Sequence, residues 1–137
     1  MRTSCALLLI AALAPQVAGA REIRRPAIPE PFWGTWAPAD NGCKEKDAAA
    51  IVLSATAYAG PAGSCVVKYV TEIPGRDGPI YSARLQCPAA GAQPRANKFV
   101  DLIIRSGDAG QISLGPTFES LAAHRRCAAS APAAKQQ

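Results

Sequence analysis

The sequence predicts an all-β fold, a small antiparallel barrel or sandwich of seven to eight short strands stapled by two disulfides. Three observations predict it. Apolar and polar residues alternate along two candidate hairpins, Gly and Pro turns recur every few residues, and four cysteines remain once a leader-like N-terminus is set aside. Helical periodicity is scarce, and no period of roughly 20 to 50 residues repeats along the chain.

At 137 residues the chain has room for one small domain. Residues 1–20 read as a secretory signal peptide. Arg2 supplies the basic start, Cys5 to Leu13 the apolar run, and Ala18-Gly19-Ala20 the small-residue end ahead of Arg21. The run is too short to span a bilayer, and no later stretch approaches the roughly 20 apolar residues a spanning helix needs. A periplasmic or secreted protein, cleaved near Ala20, is therefore expected. Cys5 precedes the apolar run and leaves with it, so no lipid anchor is expected.

Residues 21–31, REIRRPAIPEP, hold three prolines and several charges, which suits a mobile, extended arm. Residues 32–127 form the β domain, and 128–137, AASAPAAKQQ, form a disordered tail. Between 32 and 127 ten basic residues face eight acidic ones, spread rather than clustered, so the nucleic-acid class is excluded. The same span holds only 24 Val, Ile, Leu, Phe, Trp or Tyr. A core that thin needs covalent help. Cys43, Cys65, Cys87 and Cys127 are even in number in an exported chain, which argues for two disulfides.

The first hairpin lies in SCVVKYVTEIPGRDGPIYSARLQC. Symmetry about Arg76 sets Cys65 opposite Cys87, Val67 opposite Leu85, Tyr69 opposite Ala83 and Thr71 opposite Tyr81. All then share one face, leaving Lys68, Glu72, Ser82, Arg84 and Gln86 on the other. Directly opposed residues come within disulfide reach, so Cys65 pairs with Cys87, and Cys43 with Cys127 by elimination. In the second hairpin, symmetry about Asp108 sets Ile104 against Ile112 and Leu102 against Leu114, with Val100 on the same core face. Shorter strands are expected over 32–37, 51–54 and 56–58. Residues 118–123 read equally as a strand or a helical turn, and 44–50 as a short helix capped near Asn41.

Candidate chemistry is sparse. His124 is the only histidine, and a nucleophilic pair with Cys127 would need a free thiol that the cysteine parity denies. The cysteines show no C-x-x-C spacing, so no metal is assigned, and no cofactor is expected. Asp40, Asp47, Asp77 and Asp108 lie in polar loops, where an aspartate usually bonds its own backbone. Ser64 lacks a nucleophile elbow, and the glycines punctuate hairpins rather than open helices. No constellation dictates a reaction, so a non-enzymatic role is expected. The exposed tip Arg76-Asp77 is a candidate contact, although a solvated turn is its ordinary reading.

The segment Phe32-Trp33-Gly34-Thr35-Trp36 opens a first strand as Gly34-x-Trp36, and a basic pair, Arg125-Arg126, stands at the far end. This arrangement resembles calycin-type barrels, a superfamily that includes lipocalins and secreted bacterial metalloprotease inhibitors. The resemblance implies that Trp36 closes one barrel end and that a late arginine, Arg125 or Arg126, packs across its face. The chain is also similar to small exported four-cysteine bacterial proteins with a Trp-rich start and an Arg-Cys near the end. Two function classes follow. One is a monomeric binding protein with a secreted or envelope partner, in its sharpest form an inhibitor of a secreted hydrolase. The other is a small-ligand carrier of calycin type, with Tyr58, Tyr69 and Tyr81 lining a shallow mouth.

Overall fold

The computed structural model describes residues 19, 21–40, 42–44, 49–61, 63–89 and 97–128. Almost all of the expected leader and tail lies outside these residues, as does most of the helix expected over 44–50. The described residues form strands β1 (Ile23–Arg25), β2 (Gly34–Pro38), β3 (Ile51–Leu53), β4 (Ala57–Gly60) and β5 (Gly63–Ile73). They continue with β6 (Ile80–Pro88), β7 (Asn97–Ser106), β8 (Gln111–Gly115) and β9 (Ala122–Arg126). Two 3-10 turns, Glu30–Phe32 and Phe118–Ser120, punctuate them. Residues 118–123 are thus a helical turn leading into a strand.

Every strand pairing is antiparallel, and the order β5-β4-β3-β2-β9-β8-β7-β6 closes on itself through β5–β6. The fold is therefore an eight-stranded closed barrel, with β1 added beside the C-terminal half of β5. Closure follows from the short strands and tight turns, because a closed sheet leaves no long edge unpaired. Strand β6 shows the period of two that drives it. Ala83, Leu85 and Cys87 point inward and are buried, while Ser82, Arg84 and Gln86 face outward.

The first hairpin departs from the symmetric register. Val67 opposes Leu85 as expected, but Lys68 is an extra residue, and beyond it Val70 opposes Ala83 and Glu72 opposes Tyr81. The bulge bends a long strand so that it can follow the barrel wall. It also turns over every later side chain, bringing Val70 (0% exposed) into the core and putting Tyr69 outside. The second hairpin is displaced by two residues, with Ile104 opposite Leu114 and Ser106 opposite Ile112. Ala109 (φ 52°) and Gly110 (φ 75°) make the left-handed turn, so the loop centres on Ala109 rather than Asp108. A shift of two preserves the face, and Leu102, Ile104, Ile112 and Leu114 are all buried inward.

Both disulfides form as expected, Cys43–Cys127 and Cys65–Cys87. Cys65 and Cys87, 4.3 Å apart at Cα, extend the register of Val66 opposite Gln86. Their sulfurs belong to the core, joining Trp36, Leu53, Leu85 and Ile104. The covalent cross-link thus supplements a core short of large apolar residues.

The N-terminal segment is not the mobile arm its prolines suggest. β1 pairs with β5, Ile28 is 1% exposed and its N–H donates to Ala55 O at 2.9 Å, and Phe32 is buried. Proline keeps this stretch from helix, but burying Ile28 and Phe32 offsets the cost of ordering it. The folded domain therefore begins by Ile23 rather than at residue 32.

Candidate recognition surface

The antiparallel pairings place the start of β2, the 74–79 turn, the 107–110 turn and the end of β9 at one barrel end. That end is closed from within by Trp36, 2% exposed, whose Nε1–H donates to Phe32 O at 2.8 Å. Trp33 Nε1–H donates to Ile28 O at 2.8 Å. The guanidinium of Arg126 lies 4.4 Å over the Trp36 ring and donates to Pro31 O at 2.5 Å and to Trp33 O. Four carbonyls of the 28–33 segment are thereby satisfied by two indoles and one arginine, holding that segment as a plug.

The arginine the resemblance implied is thus Arg126. Arg125 instead donates to Ala39 O at 2.9 Å. Strand alternation decides between them: Arg126 opposes Trp36 across the β2–β9 pair, so the two share a face, and Arg125 points the other way. Gly34 is required beside them. Its φ is +128°, and a Cβ there would stand 2.8 Å from Arg126 Nη1.

The turn carrying Arg76 and Asp77 projects from this closed end between two grooves. On one side a groove of about 340 Å³ is lined by Arg21, Ile23, Glu72, Pro74 and Pro79. On the other a polar groove of about 460 Å³ is lined by Asp77, Arg105, Ser106, Asp108 and Ser113. Arg105 donates to Asp77 at 2.6 Å, tying the first turn to the second hairpin. Arg76 and Asp77 are both exposed. Arg105 was not visible as a site residue in the sequence. A signal was nonetheless present, because consecutive hairpins in a meander bring alternate turns to one end.

Glu72, at the rim of the first groove, pairs with Arg25 across β1 and β5. Tyr81 opposes Glu72 and packs edge-on against Phe32, with ring centroids 5.3 Å apart. Burial, then the Glu72 carboxylate, push the Tyr81 phenol above the ordinary tyrosine value, with Arg25 opposing them.

The expected tyrosine mouth is not assembled. Tyr69 lies on the outer surface with Arg24 stacked 4.1 Å above its ring, and Tyr81 packs at the closed end. Only Tyr58, 6% exposed, reaches the opposite barrel end. There it lines a cavity of about 200 Å³ with Pro61, Leu85, Val100, Asp101, Leu102 and Pro116.

His124 is buried, and its Nδ1–H donates to Ala122 O at 2.8 Å, which fixes the tautomer. Cys127 is bridged to Cys43, so no thiol is available to His124. Among the described residues no three His, Cys, Asp or Glu side chains gather as metal ligands. Among them, too, no helix is long and apolar enough to cross a membrane.

Comparison with known proteins gives no match: no family model, no curated protein and no solved structure is similar to the chain. What the fold defines is a class, a small closed antiparallel β-barrel with two disulfides, consistent with calycin-like barrels.

Proposed function

We propose that this chain is an exported, non-enzymatic binding protein that recognises a secreted or envelope protein with its closed barrel end, acting as an inhibitor of a secreted hydrolase. The observation that carries this reading is the projecting 74–79 turn, set between two grooves on a disulfide-stapled barrel. The Asp77–Arg105 pair ties the turn to the second hairpin, which lowers the ordering cost of presenting Arg76. Two disulfides suit the oxidising compartment that the leader-like N-terminus implies.

Titration of exported lysozymes and proteases with the purified protein tests this. Stoichiometric inhibition is expected, weakened about 10-fold or more in an Arg76→Ala/Asp77→Ala variant of unchanged melting temperature. No inhibition at high excess across both hydrolase classes overturns the inhibitor reading. Inhibition unaffected by the double substitution removes the turn from it.

The 200 Å³ cavity beside Tyr58, apolar but for Asp101, favours a second reading, capture of a small ring or short aliphatic group. Cavities of comparable size bind benzene when apolar. Millimolar indole should then raise the melting temperature of the wild type and not of Val100→Phe, which fills the cavity. An equal response in both proteins would remove this reading.

A further inference from the structure

The two disulfides occupy opposite environments. Cys65 and Cys87 are 3% and 2% exposed inside the barrel, whereas Cys43 is exposed and Cys127 half-exposed. Cys127 is joined to the plug's machinery as well. Its N–H donates to Thr35 O at 2.8 Å, and its neighbour Arg126 holds Pro31 and Trp33 and covers Trp36.

We propose that Cys43–Cys127 is an exchange site for dithiol reductants, and that opening it releases the 28–33 plug while Cys65–Cys87 and the barrel stay closed. A dithiol thiolate attacks Sγ of Cys43, the more exposed residue of the bridge, the S–S bond breaks, and Cys127 leaves as a thiolate. The second thiol of the reagent then attacks the mixed disulfide, expelling Cys43 and closing the reagent's own disulfide. The protein gains two electrons and two protons, and the dithiol loses them. The buried bridge is far less accessible to an attacking thiol, because Cys65 and Cys87 pack among core side chains.

The chain carries its own reporter. Its two tryptophans, Trp33 and Trp36, are both in the latched region. The oxidised full-length protein is titrated with dithiothreitol at neutral pH, alkylated with iodoacetamide and mapped by peptide mass. Tryptophan emission and far-UV circular dichroism are followed in parallel. Cys43 and Cys127 are expected to be alkylated at dithiothreitol concentrations at least 10-fold below those needed for Cys65 and Cys87. That first step should red-shift the emission with the strand signal unchanged. A Cys43→Ser/Cys127→Ser variant should show the shifted emission from the outset. Simultaneous opening of both bridges, earlier opening of the buried one, or a first step silent in emission would each overturn the proposal.

Discussion

Trp36→Ala is expected to destabilise the protein by about 3–5 kcal/mol, the usual cost of truncating a buried tryptophan. Three losses act at the same place. The indole is 2% exposed, so its removal leaves a cavity at the end of a core with few large side chains to collapse into it. Its Nε1–H satisfies Phe32 O at 2.8 Å, and an unsatisfied buried carbonyl costs about 1–3 kcal/mol. Arg126 loses the ring it covers, a contact worth roughly 0.5–2 kcal/mol. These overlap rather than add, since all three hold the same plug. For a domain of this size the melting temperature should fall by about 15 °C or more. Trp33→Ala, at a residue 39% exposed, should fall far less. Melting of Trp36→Ala within a few degrees of the wild type would show that the plug does not hold the barrel end.

The features that were legible in the sequence are those set by local pattern. The period of two in Ala83, Leu85 and Cys87, the turn residues between β5 and β6, and the cysteine parity led to the all-β class and to both bridges. Face assignments survived the two-residue error in the second hairpin, because strand side chains repeat every two residues. What stayed hidden depends on closure of the sheet. The bulge at Lys68 arises because an 11-residue strand must curve around a barrel, and nothing local in VVKYV marks the extra residue. That one residue carried Tyr69 from the expected mouth to the outer surface. The docked N-terminal segment was obscured by its prolines, although Ile28 and Phe32 are the apolar residues that order it. The choice of Arg126 over Arg125 needed the β2–β9 register, which joins residues some 90 positions apart in the chain. The polar groove between the two turns likewise exists only once Asp77 and Arg105 meet.

Loss of the outer bridge should be the second large effect. Cys43 and Cys127 are separated by 84 residues, against 22 for the inner pair, and the longer loop restricts the unfolded chain more. Chain-entropy arithmetic puts its contribution at about 4–5 kcal/mol and that of the shorter loop at about 3 kcal/mol. Cys43→Ser/Cys127→Ser is the informative variant, because Cys127→Ser alone leaves an exposed thiol at Cys43 that can pair between molecules. Its strand signal should persist at room temperature, since the barrel's hydrogen bonds and inner bridge remain. Its thermal midpoint should nonetheless drop by about 15 °C or more, and less of it should accumulate on expression. The direction follows from the core: with 24 large apolar residues across 96 positions, burial alone leaves little margin over conformational entropy. A variant that melted at the wild-type temperature would mean that the β2–β9 pairing and the Arg126 latch already hold both ends of that long loop together. The outer bridge would then contribute nothing to stability.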